Sequence, residues 1–156
     1  MAAMSDFLEN KIIDFLFRGQ ALGVTGASAA AATGPTAVFF ALLTASPADA
    51  GGGTEVTGGS YARVSVTSSL ANFAGTQAAA SSVASSGTSG TTSNNSAITF
   101  PAPTAAWGVV TSFGIYDAST AGNLLFYGTL TTSKTINSGD AAPSFAAAAF
   151  TLQIDN

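Results

Sequence analysis

Hydrophobic and polar positions alternate most clearly in the last third of the chain, where three β segments are separated by turn-forming residues. The segments read WGVVTSFGIYD, NLLFYGTLTTSKTINSGD and FAAAAFTLQID, over residues 107–117, 123–140 and 145–155. In the first segment Trp107, Val109, Phe113 and Ile115 fall on one face, which the alternation predicts to be a core face. Gly, Asn, Ser and Asp residues occupy the intervals, as turns require. The pattern predicts antiparallel β-structure.

Residues 5–18, SDFLENKIIDFLFR, have the period of an amphipathic helix. The predicted stripe consists of Leu8, Ile12, Phe15 and Leu16. Asp6 is placed to cap the helix, Asp14 and Arg18 are spaced to pair, and Gly19 supplies a stop.

Three further apolar residues of this helix, Phe7, Ile13 and Phe17, lie partly off the stripe. They predict apolar contacts on more than one side. The helix then either plugs the end of its own β-domain or docks on a neighbouring subunit, and the three residues are candidates for such an interface.

Between the helix and the final segments, the apolar run TAVFFALLT at 36–44 predicts a central strand covered on both faces. SYARVSV at 60–66 predicts another strand, with Arg63 on its face as a structural partner for Glu55 or Asp49. The predicted fold is a mainly β, antiparallel β-sandwich, jelly-roll-like, with one N-terminal α-helix. Its predicted divisions are a helix and arm at 1–35 and a β-sandwich domain at 36–156.

The run at 76–97, TQAAASSVASSGTSGTTSNNSA, is a low-complexity excursion with too few apolar residues to form a core. If it is ordered, other groups must hold it, so we expect an intersubunit contact or a surface excursion laid tightly on the domain. The interface candidates in this run are Ser81, Ser82, Val83, Ser85, Ser86, Thr88, Thr91, Thr92, Asn94 and Asn95.

The amino-acid composition limits the classes of function that this chain can have. The chain has 156 residues, enough for one domain with a core, but only 8% are charged, against about a quarter in ordinary soluble domains. A surface so poor in charge is expected to lie against other subunits, which favours a component of an assembly, here a homo-oligomer. The alternative is a secreted or surface β-domain rich in Ser, Thr and Ala.

The composition also argues against chemistry. The chain has no cysteine and no histidine, and its eight acids are scattered singly. We therefore expect no enzyme activity, no catalytic residue, no cofactor and no metal site, and we interpret Asp49, Glu55, Asp117 and Asp140 as solvated turn acids. Four basic residues and a net charge of −4 argue against nucleic acid as a partner. No apolar stretch reaches the length of a membrane span, so no membrane partner is expected.

Several blocks of the sequence resemble a family of short phage virion structural proteins often labelled tail fibre proteins. The blocks are MSDFLENKIIDFLFRG, the run from TAVFFALLT to GGSYARVSV, and WGVVTSFGIYDASTAGNLLFYGTLTTSKTINSGD. The resemblance implies a virion component, assembled in the cytoplasm of the bacterial host, with no catalytic residue to carry over. Small β-sandwich proteins of this size also serve as head decoration (cement) proteins that sit as trimers on the shell.

These observations favour a capsid decoration protein, a homotrimer that contacts the major capsid protein and stabilises the head shell. The alternative is a tail-fibre or tail-tip module that contacts other tail proteins and binds a host-surface glycan. Its stacking candidates are Trp107, Tyr61, Tyr116 and Tyr127. A secreted adhesin unrelated to phages is a third possibility.

Overall fold

The computed structural model describes residues 4–23, 34–76 and 81–154. Residues 24–33 of the predicted arm and 77–80 of the low-complexity run lie outside this description. The described residues form one helix and nine strands, in the order α1 Asp6–Phe17, β1 Ala37–Ala45, β2 Thr54–Glu55, β3 Val64–Thr67, β4 Thr91–Ser93, β5 Ile98–Thr99, β6 Gly108–Tyr116, β7 Leu124–Ile136, β8 Ser144–Phe145 and β9 Thr151–Gln153.

The largest sheet has the order β2-β1-β6-β7, with β3 also paired to β1. Strands β4 and β9 form a two-stranded sheet, as do β5 and β8. The β1–β2, β1–β6, β6–β7 and β4–β9 pairs are antiparallel. The predicted fold class, mainly β with antiparallel sheets and one N-terminal helix, is confirmed. The jelly-roll order of a sandwich stays a prediction.

The chain divides into two compact units. The first comprises residues 1–37, 67–98 and 145–156, and the second comprises residues 38–66 and 99–144. The predicted division into an arm at 1–35 and a domain at 36–156 stays a prediction.

Strand β1 is the centre of the second unit's sheet, as its sequence predicts. It pairs with β6 through Phe39 opposite Tyr116 and Leu43 opposite Ser112. Apolar residues on both of its faces, including Phe40 and Ala41, are fully buried. Continuous apolar sequence is what a strand covered on both sides needs.

Strand β6 departs from simple alternation. Trp107, just before it, and Ile115 are buried as predicted, but Val109 is 47% exposed while Val110 and Ser112 are buried. The cause lies in the pairing with β7, where Val110 is opposite Lys134 but Ser112 is opposite Thr129. A bulge of this kind bends the pair and changes where side chains point. The prediction that one face of this segment forms the core is therefore wrong at Val109.

Helix α1, in the first unit, begins and ends within one residue of the predicted bounds. Ser5, in extended conformation, is the N-cap residue, so the prediction that Asp6 caps the helix is wrong. Gly19 follows the helix with a φ of 67°, the left-handed geometry that glycine accepts at a helix stop.

The buried face of α1 is not the predicted stripe. The buried residues are Glu9, Asn10, Ile13, Asp14 and Phe17, whereas the predicted stripe residues are only half-buried. The ring of Phe17 packs edge-on against Phe73, with the ring centres 5.3 Å apart. Three polar side chains thus share the buried face with two apolar ones, an arrangement that an apolar stripe cannot reveal.

The last predicted segment, 145–155, is interrupted and does not form one strand. The described part contains the end of β8 and all of β9, separated by a turn in which Ala148 has a φ of 60°. Asn94 holds this turn, because its side chain donates to the Ala146 carbonyl at 2.7 Å and accepts from the Phe150 amide at 2.9 Å. Its backbone carbonyl also accepts from the Ala148 amide at 2.7 Å.

Candidate functional site

Arg63 is the centre of a polar cluster in the second unit. Its Nε and Nη2 donate to the two carboxylate oxygens of Glu55 at 2.9 and 2.8 Å, which confirms the predicted pairing. Its Nη1 donates to the carbonyls of Ala118 and Ala121, both at 2.8 Å. The Arg63 Cζ atom lies 3.6 Å from the centre of the Tyr116 ring. One side chain therefore joins β2, the end of β6 and the turn that follows it.

Tyr61 is hydrogen-bonded to the same cluster through Glu55. Its hydroxyl donates to Glu55 Oε1 at 2.9 Å and accepts from the Leu42 amide at 2.9 Å. Burial raises the pKa of Tyr61 well above its usual range, and the neighbouring Glu55 carboxylate raises it further. The hydrogen bond with Glu55 is the main cause of the raised pKa of Arg63. The cluster thus holds a charged pair and a neutral phenol.

The turn at 117–123 is fixed internally as well as by Arg63. Asn123 donates to the Asp117 carboxylate from its side chain and from its backbone amide, each at 2.7 Å. These bonds hold the pKa of Asp117 below its usual range. Ala121 and Gly122 have φ values of 51° and 74°, so the turn uses two left-handed residues in succession. The turn is therefore held by hydrogen bonds from Arg63 to its middle and by hydrogen bonds between its first and last residues.

Arg63→Lys should loosen this turn. A lysine keeps the charge but cannot reach the carboxylate and both carbonyls with one fixed fork. We expect a loss of about 1–3 kcal/mol in the free energy of unfolding, and faster hydrogen exchange at 118–123. Urea unfolding and exchange mass spectrometry measure the two effects. The matched control is Lys134→Ala at an exposed cation of β7, expected within about 0.5 kcal/mol; equal effects of the two variants would contradict the role of Arg63.

The raised pKa of Tyr61 predicts a loss of stability in alkali. The unfolded phenol ionises near pH 10, whereas the folded one holds its proton to higher pH. Its contribution is fully present below about pH 10 and is lost as the pH rises above that value. Tyr61 should add about 1.4 kcal/mol per pH unit to the fall in unfolding free energy there. Unfolding curves measured between pH 8 and 11 should show that the unfolding free energy of Tyr61→Phe falls less steeply with pH than that of the unchanged chain. Identical slopes for the two proteins would contradict the contribution of Tyr61.

A cleft of about 470 Å³ opens beside this cluster. Its lining includes Asp49, Tyr116, Asn123, Leu124 and Tyr127. Tyr127 is 41% exposed. The cleft therefore places two tyrosine rings beside a surface that is mainly polar.

The four predicted stacking candidates separate into two pairs. Trp107 is 5% exposed; its Nε1 donates to the Gly59 carbonyl at 3.0 Å, and its ring lies edge-on to Tyr61. Tyr61 is itself engaged with Glu55. Tyr116 and Tyr127, by contrast, line the same cleft. Alternation along single strands could not find this pairing, because the cleft also depends on the glycine-rich loop near Asp49.

In the first unit a second arginine, Arg18, holds the described part of the low-complexity run. Its side chain is fully buried and pairs with Asp14 at 2.5 Å, as predicted. It also donates to the Ser81 carbonyl at 3.1 Å, the Val83 carbonyl and the Ser85 hydroxyl at 3.0 Å. The Asp14 carboxylate accepts from the Ser85 amide at 2.8 Å. Residues 81–85 therefore have hydrogen-bond partners within this chain.

The predicted interface residues fall into three groups by exposure. Ile13, Phe17, Thr92 and Asn94 are buried within their own chain, so their side chains are not presented to a neighbour in this fold. Ser81, Ser85, Thr91 and Asn95 are half-buried, and Phe7, Ser82, Val83, Ser86 and Thr88 are exposed. The exposed apolar side chains are Phe7 at 57% and Val83 at 62%. An interface role for the exposed group stays a prediction.

Three of the acidic residues in the described ranges hold neighbouring segments, and Glu55, which lies in β2, is not the solvated turn acid that its sequence context predicts. Glu55 pairs with Arg63, Asp117 accepts from Asn123, and Asp140 accepts from the Asn137 amide at 2.7 Å. Residues 4–23, 34–76 and 81–154 contain no group of three or more Asp, Glu, His or Cys residues that could hold a metal ion. Across the same ranges, no helix is long and apolar enough to cross a membrane.

Comparison with protein families gives one finding that covers nearly the whole chain. Residues 3–153 match the family model described as podophage GP4 fiber I protein gp80. A search of curated proteins found no match.

Proposed function

This chain belongs to the family of the podophage GP4 fiber I protein gp80, and on that premise we propose that it acts as a fibre component of the virion. Membership of this family makes it a bacteriophage virion structural protein. The observation that carries the finer proposal is the match over residues 3–153, which includes both compact units.

A structural role without catalysis agrees with how the polar side chains are used. Asp14, Glu55 and Asp117 accept hydrogen bonds that hold turns and neighbouring segments. Arg18 and Arg63 are paired with carboxylates. These arginines are half of the chain's four basic residues. We therefore propose neither an enzymatic activity nor a nucleic-acid or membrane partner.

Copy number and position in the particle test the fibre proposal. Quantitative mass spectrometry of purified virions, with the major capsid protein as the internal standard, counts the copies of this protein. Gold-labelled antibody shows where they lie. A small number of copies with label at the tail supports a fibre. Hundreds of copies with label over the shell would contradict the fibre proposal and favour head decoration on the major capsid protein.

We also propose that the protein is a homo-oligomer that contacts other tail proteins. The expected oligomer is a trimer. The support is the charged fraction of 8% and the exposure of Phe7 and Val83. Sedimentation equilibrium at micromolar concentration measures the mass. A monomer whose thermal midpoint is unchanged by dilution would contradict the proposal, because an oligomer is stabilised by its own concentration.

A further inference from the structure

The cleft beside Tyr127 has two walls whose turns are hydrogen-bonded within the chain. One wall is the turn at 117–123, held by Asp117, Asn123 and Arg63. The other is the tight turn at 48–51, in which Ala48 and Gly51 exchange backbone hydrogen bonds of 3.0 and 2.8 Å. Because a preformed site spares the cost of ordering loops on binding, this cleft is suited to a small ligand.

The rings of Tyr116 and Tyr127 give the mainly polar cleft an aromatic platform. Tyr127 lies opposite Gly114 in the β6–β7 pair. With no side chain at Gly114, the Tyr116 ring and the Leu124 methyl group come within 2.9 and 3.2 Å of where its Cβ would stand. Aromatic rings of this kind present a flat apolar face with a polar hydroxyl at the tip. The platform therefore suits a ligand with one C–H-rich face.

The rim of the cleft carries hydrogen-bond acceptors. Asn123 uses its side-chain N–H on Asp117, which leaves its carbonyl oxygen as an acceptor. Asp49 lies in the turn at the opposite wall and contributes a carboxylate. A ligand with several hydroxyl donors around an apolar face satisfies both the platform and the rim.

The charges near the cleft disfavour an anionic ligand. Asp49 lines it, and Asp117 lies in the turn that forms one wall. The nearby cation, Arg63, is already matched by Glu55. The three consecutive glycines at 51–53 therefore do not form a phosphate cradle, since anion sites need an unmatched cation or converging amides. A neutral ligand is favoured.

We propose that this cleft binds a neutral pyranose unit of a bacterial surface polysaccharide, with its C–H face on Tyr127 and its hydroxyls on Asp49 and Asn123. A cleft of about 470 Å³ has the volume of a small-ligand pocket. That the sugar belongs to a bacterial surface rests on the proposed fibre function. The affinity of the cleft for a neutral sugar does not.

The test uses the purified full chain and a panel of methyl glycosides of glucose, galactose, mannose, rhamnose and N-acetylglucosamine. Glucuronic acid serves as the anionic comparison. Saturation-transfer NMR and two-dimensional titrations should show at least one neutral glycoside binding with a millimolar Kd, the range for a single small contact. Its C–H protons should receive the saturation. Glucuronic acid should bind more weakly.

Variants place the binding in the cleft. Tyr127→Ala should weaken the affinity about tenfold, because it removes a central aromatic contact. Tyr127→Phe should keep most of the affinity, since the ring remains. Asp49→Asn should weaken binding while leaving the turn at 48–51 folded. Val109→Ala is the control, because it shortens a side chain of similar exposure on the neighbouring strand that does not line the cleft.

Two results would overturn the proposal: no neutral glycoside binding up to about 50 mM, more than tenfold above a millimolar Kd, or binding unchanged in both Tyr127→Ala and Asp49→Asn. These results are separate from the position of the protein in the virion. Hundreds of copies on the shell with cleft binding intact would reject the fibre function and keep the sugar site. A few copies at the tail without sugar binding would do the reverse.

Discussion

Arg18→Ala should lower the free energy of unfolding by about 3–5 kcal/mol, the cost of removing one partner from a buried ion pair. The Arg18 side chain is fully buried and the Asp14 side chain is 3% exposed. Without the guanidinium, Asp14 keeps its hydrogen bonds from Ser85 but loses its counter-charge. The carbonyls of Phe73 and Ser81 also lose the hydrogen bonds that Arg18 donates. Urea unfolding followed by circular dichroism gives the difference.

Two controls separate the pair from a general effect of mutation in this helix. Lys11→Ala changes a half-buried cation of α1 and should cost about 0.5 kcal/mol or less. The double variant Asp14→Asn with Arg18→Met replaces the pair with neutral groups, so it should lose less stability than Arg18→Ala alone. If Arg18→Ala unfolds at the urea midpoint of the unchanged chain, the buried pair does not stabilise the fold.

The same variant tests how the low-complexity run is ordered. Residues 81–85 are half-buried or exposed, and Ser81, Val83 and Ser85 are hydrogen-bonded to Arg18 or Asp14. Hydrogen exchange at 81–87 should therefore rise in Arg18→Ala by more than exchange in β1. In the unchanged chain these amides should be protected without any partner. Protection that appears only in the assembled particle would mean that neighbours supply the order, as an intersubunit role of this run requires.

Sequence reasoning located elements whose physics is local. The bounds of α1 follow from its period and from Gly19, and β1 follows from its continuous apolar run. The pairs Asp14–Arg18 and Glu55–Arg63 were accessible for the same reason, because one is set by helical spacing and the other by a short loop between the partners. Such pairs need no knowledge of the remaining fold.

What sequence reasoning missed depends on contacts between distant residues. The buried face of α1 is turned toward Asn10 and Asp14 because the run near Ser85 and Gly87 supplies their partners. A polar side chain is buried where it finds hydrogen bonds, and period alone does not show that. Asn94 gave no more signal than any residue of a Ser- and Asn-rich stretch, yet it holds the turn that divides the last predicted strand.

The cleft was missed as a unit for a related reason. Tyr116 and Tyr127 were candidates, but Asp49 and Asn123 were interpreted as turn residues. The four come together because β6 and β7 pair in register near Gly114, while the loop after β1 folds back. Residues from three segments meet only in the folded chain. That the turn residues Asp49 and Asn123 line a cleft therefore follows from the sheet topology and not from the sequence pattern.

Trp107→Ala should also cost about 3–5 kcal/mol in unfolding free energy, as expected for truncation of a buried aromatic side chain. Trp107 is 5% exposed, its ring lies 5.3 Å from that of Tyr61, and its indole N–H donates to the Gly59 carbonyl. The variant leaves a cavity beside the start of β6 and removes one of the two donors to the Gly59 carbonyl, which keeps its hydrogen bond from the Thr104 amide at 3.0 Å. Calorimetric and urea unfolding measure the loss.

The chain contains a matched control two residues away. Val109→Ala shortens a side chain of the same strand that is 47% exposed, so it should cost about 0.5 kcal/mol or less. Trp107→Phe keeps a ring but loses the donor to Gly59, so its cost should fall between those of Val109→Ala and Trp107→Ala.

The sugar titration adds a functional readout, because Trp107 does not line the cleft. Folded Trp107→Phe should bind the neutral glycoside as the unchanged chain does. A Trp107→Ala protein that unfolds normally but no longer binds sugar would place the binding platform at Trp107 and remove it from Tyr127.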